Sequence, residues 1–323
     1  MSISSTHKCE VVSVKLEKHP NADNLALTRV YGYTVVVNKN DWQDGQLGAF
    51  VVPDSLVDTS KPEFSFLGTH NRITVRRFRG VFSQGLLVPA PVGSKEGDDV
   101  AELLGVTRYE PDVKVTQGDS TSPPPGFHPK YDIETWYKYK DLLISEESVV
   151  VTEKIHGTSG RYCFVDDQMY CGSRNEWKKE TKENLYWKCL VHNPQIEMFC
   201  KDNPELTLYG EVYGPVQKLK YGRTGNNVGF AAFDIFDSKT AKFLPWGEFN
   251  YYILHYKIPQ VPSLYIGPYS ESLVSLADGQ SKVTGADNIR EGVVIQPIAE
   301  RIDSEIGRVK LKMVSNVYLE KDK

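Results

Sequence analysis

The chain has 323 residues, of which 40% are hydrophobic and 25% are charged. This composition is typical of globular proteins, and the length favours two domains. The net charge of −4 neither requires nor excludes nucleic acid, because phosphates are bound by local patches of positive surface. No apolar run is long enough to cross a bilayer and no signal peptide is recognisable, so we expect a soluble, intracellular protein, either cytoplasmic or nuclear.

The five cysteines never occur as C-x-x-C, which argues against a zinc ribbon and a disulfide framework. We expect reduced, packed thiols.

Residues 1–110 are predicted to form a small barrel. Short stretches of alternating apolar residues are separated by Asn, Asp, Gly and Pro, and no long helix is indicated. Several short strands without a long helix are the pattern of a small barrel. The stretches are Val11–Val14, Leu25–Val30, Tyr33–Val37, Leu47–Val52, Arg72–Phe78 and Gly85–Val88.

Residues 111–130 are predicted to be an extended linker, because Gln117–Gly126 has almost nothing to bury. Residues 131–323 combine both kinds of pattern, and the whole chain is therefore predicted to be α+β. Helices are predicted at 131–141, at 181–201 with a break at Pro194, and at 245–256. Strands are predicted at 148–153, 161–165, 168–172, 206–212, 229–236, 292–296 and 308–313.

A lysine follows the apolar strand at 148–153, and the sequence continues Ile155-His156-Gly157-Thr158. Strand alternation would point Lys154 and His156 to the same side. Desolvation at the end of a buried strand penalises the ammonium and favours the nucleophilic amine. Taken alone, the segment is also compatible with the end of a surface strand.

Six segments occur in order over about 160 residues: Glu153–Thr158, Ser173–Asn175, Leu208–Gly214, Phe230–Ile235, Glu291–Gln296 and Val309–Lys312. Together they resemble the motifs of the RNA ligase branch of the covalent nucleotidyltransferases, the superfamily of ligases and mRNA capping enzymes. The resemblance implies a nucleotidyltransferase domain over residues 131–323, built on antiparallel sheets with flanking helices. It also implies that Lys154 accepts AMP from ATP.

The resemblance implies a role for each candidate residue. The catalytic set is Lys154, His156, Lys310 and Lys312, and the two later lysines would hold the α-phosphate from one side of a strand and favour the free amine of Lys154. The nucleotide-binding set is Glu153, Lys154, Arg174, Glu211, Phe233, Lys310 and Lys312. Phe233 would stack on adenine, with Phe230 as the alternative. Glu291 and Glu211 would hold Mg²⁺, or Mn²⁺ in its place, largely through water.

Two further positions carry expectations. Asp234 is a polar residue in an apolar strand, which predicts a specific partner. Ser159 stands where RNA ligases of this kind commonly have Asn, and a hydroxyl offers fewer hydrogen bonds than an amide. Any contact that this position makes to a phosphate end is therefore expected to be weaker or different.

The first domain also resembles a known family. His19–Leu25 and Arg79–Leu86 are similar to segments of the OB-fold tRNA-binding domains attached to some aminoacyl-tRNA synthetases. Arg72 and Arg76 would share a strand face with Thr74 and Phe78, which suits nucleic acid, although a solvated barrel strand is an equal alternative.

The OB-like domain precedes the nucleotidyltransferase motifs, whereas in DNA ligases and capping enzymes it follows them. This order resembles RNA ligases that seal nicks with an RNA 3′-hydroxyl strand, a reaction suited to RNA repair. RNA or a nicked duplex containing RNA is the expected partner, with no membrane and no obligate protein partner. The alternatives are an inactive nucleotidyltransferase that binds RNA, and a DNA ligase or guanylyltransferase relative.

Overall fold

The computed structural model describes residues 7–109 and 119–321, which form two compact units. The first unit contains residues 7–109 together with Thr135–Lys140 and residues 316–321, and the second contains residues 119–134 and Asp141–Ser315. No helix in these described ranges has the length and apolar character needed to cross a bilayer.

The first unit is built from short antiparallel strands. Burial alternates along these strands, as expected when one face of a strand packs on a core. The buried positions are Cys9 and Val11 on one strand, and Tyr33, Val35 and Val37 on another. The elements are β1 (Cys9–Ser13), β2 (Leu16–Lys18), β3 (Leu25–Val30), β4 (Tyr33–Asn38), β5 (Leu47–Val51), β6 (Ser55–Leu56), β7 (Arg72–Ile73), β8 (Val75–Phe78), β9 (Val81–Gln84), β10 (Leu86–Pro89), α1 (Ala101–Leu104) and β11 (Thr107–Arg108), with a 3₁₀ turn at Ser65–Leu67. The sheet orders are β1-β5-β10, β2-β3-β4, β11-β6-β7 and β8-β9.

The segment around His19 holds the turn between β8 and β9. His19 is buried, its Nδ1 accepts the N–H of Asn21 at 3.1 Å, and its Nε2 lies 3.2 Å from the carbonyl oxygen of Phe78. Because Nδ1 is an acceptor, the ring proton lies on Nε2 and is donated to Phe78. The Asn21 side chain donates to the carbonyl of Arg79 at 2.9 Å. The two segments that resemble tRNA-binding domains are thus joined by hydrogen bonds.

The arginines predicted to form one face have different environments. Arg72 pairs with Asp54 at 2.7 Å and stacks on Tyr109. Arg76 and Phe78 are exposed. A break at Thr74 separates β7 from β8, so the predicted single strand over 72–78 is two strands.

The second unit contains two larger antiparallel sheets. Its strands are β12 (Ser120–Thr121), β13 (Glu134–Thr135), β14 (Ser148–Lys154), β15 (Gly157–Val165), β16 (Gln168–Ser173), β17 (Trp177–Lys178), β18 (Leu206–Tyr213), β19 (Gly229–Asp237), β20 (Lys242–Phe243), β21 (Ser263–Pro268), β22 (Gly292–Pro297), β23 (Ile302–Asp303), β24 (Gly307–Arg308) and β25 (Leu311–Val314). The sheet orders are β12-β17-β16-β15-β18-β19-β20 and β13-β25-β22-β14-β21, and β23 pairs with β24. Successive residues of β14 are buried from Val149 to Glu153, so both faces of this strand are covered.

Few helices accompany these sheets: α3 (Leu185–His192), α4 (Pro194–Asp202) and α5 (Trp246–Tyr256), with 3₁₀ turns at Lys140–Leu142 and Glu271–Ala277. The helices α2 (Trp136–Tyr139) and α6 (Asn316–Lys321) belong to the first unit. The Asn184 side chain caps α3 by accepting the N–H groups of Tyr186 and Trp187. Pro194 begins α4, where its missing N–H costs no helical hydrogen bond. The predicted α+β class is confirmed, and all five cysteines are buried and free, as predicted.

The predicted linker is wrong for its second half. Asp119 is buried, pairs with Lys178 at 3.0 Å and accepts a hydrogen bond from Asn184 at 2.8 Å. Ser120–Thr121 then pairs with β17 at the edge of the seven-stranded sheet. These residues pack because polar side chains far along the sequence satisfy them, which local composition does not reveal. Residues 110–118 lie outside the described ranges.

The predicted second domain also differs from the observed unit. Tyr137 stacks on Tyr33, with ring centroids 4.5 Å apart, and its carbonyl accepts the N–H of Gly32 at 2.8 Å. Asn316 accepts a hydrogen bond from Gln84 at 2.9 Å. These contacts place Thr135–Lys140 and residues 316–321 with the first unit. The helix predicted at 131–141 is reduced to α2 and the turn after it.

Candidate active site

A pocket of about 170 Å³ lies within the second unit, between its two large sheets. Side chains from both sheets line it: Thr152 and Lys154 on β14, Val294 on β22, Lys312 on β25, Ser159 on β15, Glu211 on β18 and Phe233 on β19. The chain passes directly from one sheet to the other between Lys154 and Gly157. The lysine motif is therefore the connection that joins the two walls.

Gly157 makes this connection sterically feasible. A Cβ atom at this position would lie 2.2 Å from the carbonyl oxygen of Val212 on the neighbouring strand β18. Real side-chain carbons are not found so close to backbone oxygens, so only glycine fits. The close approach brings Glu211 beside Lys154, because Gly157 and Ser159 pair with Tyr213 and Glu211.

The Lys154 amine donates a hydrogen bond to Oε1 of Glu291 at 2.7 Å. The Lys154 side chain is 26% exposed and that of Glu291 is 10% exposed. His156 approaches the same oxygen, with Nδ1 at 3.8 Å. Lys154 and His156 thus share one carboxylate, and the amine must leave this ion pair before it can act as a nucleophile.

Only one of the two carboxylate oxygens of Glu291 has a hydrogen-bond partner among the described residues. Burial alone would raise the pKa of its carboxyl group, but Lys154 and His156 outweigh burial and lower that pKa to about 2. The second oxygen, Oε2, is buried and has no hydrogen-bond partner among the described residues. A buried carboxylate oxygen without a partner is costly, so this atom is suited to an additional ligand.

Glu211 has the opposite electrostatic behaviour. The pKa of its carboxyl group is raised to about 8, mainly by burial; the neighbouring Glu291 adds to the increase, and Lys154 and the Gly157 N–H oppose it. One of the two carboxyl groups is therefore ionised and the other carries a proton at neutral pH. Within residues 7–109 and 119–321, no group of three or more His, Cys, Asp and Glu side chains forms a metal-binding cluster.

Lys310 is held by Asp234. Its amine donates to Oδ2 of Asp234 at 2.9 Å and to the carbonyl of Phe233 at 3.2 Å. The same aspartate accepts the Tyr131 hydroxyl at 2.8 Å and Arg308 at 2.7 Å. Asp234 therefore has the specific partners that its polar character predicted.

Burial and the neighbouring charges change the pKa values of Asp234 and Lys310. Burial alone would raise the pKa of Asp234, but Arg308 and Lys310 outweigh it and lower that pKa. Burial lowers the pKa of Lys310, against the opposing attraction of Asp234. Lys310 lies just before β25 and Lys312 lies within it, yet both line the pocket, as the two-residue spacing predicted.

Phe233 reaches the pocket because of a β-bulge. Along β18 and β19, Tyr209 pairs with Asp234 and Gly210 pairs with Ala232, so Phe233 has no opposing residue. A bulge of this kind turns a side chain out of the regular alternation. Phe230 instead lies in the core, edge-on to Tyr162 at 5.4 Å.

The other predicted residues lie at or near the pocket. Arg174 pairs with Asp132, a pocket residue, at 2.5 Å. Glu153 contributes to the lining, but its carboxylate accepts hydrogen bonds from the Ser281 hydroxyl at 2.6 Å and the Lys282 N–H at 2.7 Å. Its side chain is thus committed to the protein rather than directed at a ligand.

Sequence reasoning missed three residues here: Tyr131, Asp132 and Arg308. Tyr131 packs against Phe233, with ring centroids 4.6 Å apart, and Asp132 holds Arg174. Both were assigned to a helix. Arg308 stands two residues before Lys310, and a third basic residue in an apolar strand was a signal that a buried carboxylate would be needed.

Comparisons with known proteins agree with this architecture. A family model described as RNA ligase matches residues 147–314, and a model of an OB-fold domain matches residues 9–90. A search of curated protein sequences gave no match. Solved structures of Naegleria gruberi RNA ligase are similar at 25% identity, each aligned over 97% of this chain and 98% of the other: a variant with ATP and Mn (TM-score 0.80), a variant with AMP and Mn (0.82) and the protein with PPi (0.80).

Proposed function

Because the chain belongs to the RNA ligase family, we propose that it is an ATP-dependent RNA ligase that is adenylated on Lys154 and seals nicks with an RNA 3′-hydroxyl strand. The observation that carries the proposal is the arrangement of Lys154, Glu291, Lys310 and Lys312 around one pocket. The ATP, AMP and manganese ligands of the similar structures support this choice of nucleotide and metal.

The proposed reaction has three phosphoryl transfers. The Lys154 amine attacks the α-phosphorus of ATP, forming an N–P bond and releasing pyrophosphate. The oxygen of a 5′-phosphate then attacks the AMP phosphorus and releases the lysine. Finally, a 3′-hydroxyl attacks the activated 5′-phosphate, forming the phosphodiester and releasing AMP. In such transfers the protein mainly positions groups and stabilises charge.

The residues divide this work. Lys310 and Lys312 neutralise the α-phosphate, Phe233 stacks on the base, and Arg174 binds a sugar hydroxyl or phosphate. Glu153 contributes through its backbone, because its carboxylate is already hydrogen-bonded. His156 keeps Glu291 oriented toward the amine.

The site fits a divalent cation. The unpartnered Oε2 of Glu291 supplies a buried carboxylate oxygen, and the neighbouring Glu211 carboxyl group would become a second carboxylate when a bound cation displaces its proton. Two carboxylates without a larger cluster suit Mg²⁺ or Mn²⁺ that keeps most of its water. When bound, such an ion would neutralise the charge that develops on the phosphate.

A matched sealing assay tests the proposal. Two nicked duplexes differ only in having RNA or DNA on the 3′-hydroxyl strand, and each carries a labelled 5′-phosphate. We expect ATP-dependent sealing of the RNA duplex in preference to the DNA duplex, and no sealing by Lys154→Ala. If wild type and Lys154→Ala bind RNA alike and neither seals nor takes up label from ATP, the chain is an inactive RNA-binding relative. Label retained from GTP instead would indicate a guanylyltransferase.

A further inference from the structure

The segment between β18 and β19, residues 214–228, concentrates positive charge beside the active site. It contains Lys218, Lys220 and Arg223 and no Asp or Glu, although the whole chain has a net charge of −4. We call residues 214–228 the cationic loop. Lys220 is exposed and Arg223 is half-buried.

One buried tyrosine anchors the cationic loop to the lysine motif. The hydroxyl of Tyr221 accepts the backbone N–H of His156 at 2.6 Å, and the ring is fully buried, edge-on to Tyr213. The N–H of Tyr221 donates to the side chain of Asn288 at 3.0 Å. The cationic loop is therefore attached to His156, which lies two residues after Lys154 in sequence.

The turn after this anchor has a defined geometry. Gly222 has a φ of +69°, and a Cβ atom there would lie 2.0 Å from the carbonyl oxygen of Gly285. Only glycine satisfies both conditions. In sequence, Lys220 precedes the anchor Tyr221 and Arg223 follows the turn at Gly222.

Arg223 is also oriented by its neighbours. Its guanidinium lies over the ring of Tyr213, 5.1 Å from the centroid, and donates to the side chain of Asn227 at 2.8 Å. The Lys220 amine donates to the carbonyl of Gln217. Both interactions leave N–H donors for a further acceptor, because a guanidinium has five donors and an ammonium has three.

Neither cation lines the pocket, where Lys154, Lys310 and Lys312 already supply positive charge. The phosphates of a mononucleotide are thus served by other residues. A polynucleotide, in contrast, carries phosphates beyond the pocket, and exposed cations bind these without reading sequence.

We propose that Lys220 and Arg223 bind backbone phosphates of the RNA strand whose end is being joined. The proposal deepens the assignment of RNA ligase activity and rests on it. Because Tyr221 fixes the cationic loop to the amide of His156, bound RNA would be held in register with the Lys154 amine.

Binding of a nicked RNA duplex without ATP, measured at several salt concentrations, tests this proposal. The variant Lys220→Ala/Arg223→Ala is compared with Lys239→Ala/Lys242→Ala, which removes two exposed charges near β20. For the loop variant we expect affinity to fall on the order of tenfold. The negative slope of log affinity against log salt should become shallower, its magnitude falling by about two. For Lys220→Ala alone, the magnitude should fall by about one. The control pair should match wild type.

Adenylation with labelled ATP separates the outcomes. The loop variant should form the lysyl-adenylate within about twofold of the wild-type rate, since its substitutions lie outside the pocket. Unchanged RNA affinity and salt slope, or an equal loss in the control pair, would overturn the phosphate contact. A parallel loss of adenylation would place the cations in nucleotide binding instead. Failure of wild type to form any adenylate would reject the ligase assignment, while the binding comparison still tests the loop.

Discussion

The buried carboxylates Asp234 and Glu291 each hold a lysine that lines the pocket, and they use their oxygens differently. Both oxygens of Asp234 accept hydrogen bonds, from Tyr131, Arg308, Lys310 and the N–H of Ile235. Glu291 pairs with Lys154 through one oxygen and leaves the other without a partner in the described residues. Each carboxylate holds a lysine, but only one retains the capacity to bind something else.

The network around Asp234 is the fixed part of the site, and the ion pair between Glu291 and Lys154 is the part that can open. A fully satisfied network in the interior is rigid, and it holds Lys310 in one position. The Glu291 pair is partly exposed and incompletely satisfied, so its amine can be released to react. We infer that Asp234 acts mainly on stability and positioning, and that Glu291 acts mainly on the chemical step.

The largest expected effect comes from Asp234→Asn. This change leaves the buried cations Arg308 and Lys310 without a counter-charge, which should lower the free energy of unfolding by about 3–5 kcal/mol. Urea denaturation at pH 7 measures it, and exposed Asp167→Asn should stay within about 0.5 kcal/mol of wild type. Because the pKa of Asp234 is lowered by folding, its contribution is present above about pH 4 and is lost below it. If Asp234→Asn lowered the free energy of unfolding by less than about 1 kcal/mol at pH 7, Asp234 would not hold a fixed network.

Glu291→Gln should have the next largest effect, on chemistry rather than stability. The amide keeps the shape but loses the charge that pairs with Lys154 and would attract a cation. We expect the rate of lysyl-adenylate formation to fall at least about a hundredfold, whatever the Mg²⁺ concentration. The exposed Glu248→Gln variant serves as the control. An adenylation rate near that of wild type would show that Glu291 is a structural residue like Asp234.

The smallest effect concerns Glu211, whose pKa is raised to about 8. In the unfolded chain this carboxyl group ionises near pH 4.3, as an ordinary Glu does. Between these values the unfolded chain has lost the proton and the folded protein keeps it, so rising pH destabilises wild type. Relative to Glu211→Gln, wild type should lose about 2–3 kcal/mol between pH 5.5 and 7.5, and the loss should level off above about pH 9. A difference that is constant with pH would mean that Glu211 is ionised throughout.

Local patterns predicted much of this molecule. Apolar alternation located most strands of the first unit, and the apolar run before Lys154 identified β14 because a central strand is buried on both faces. Spacing also predicted that Lys310 and Lys312 face one pocket. These features depend on neighbours in sequence, which is why they could be predicted.

The remaining features depend on contacts between distant residues. Phe233 enters the pocket through a bulge, and a bulge depends on the register with β18 rather than on the alternation of β19. Asp119 is buried because Lys178 and Asn184 bind it, 59 and 65 residues away. The choice of Glu291 over Asp234 as partner of Lys154 likewise depends on how the two sheets pack.

Mapping the covalent nucleotide tests the central claim most directly. The protein is incubated with labelled ATP and Mg²⁺, denatured and digested, and the labelled peptide is sequenced by mass spectrometry. We expect one AMP per chain, attached to Lys154, and none on the Lys154→Ala variant. AMP attached to Lys310 or Lys312 in wild type, or undiminished labelling of Lys154→Ala, would contradict the account.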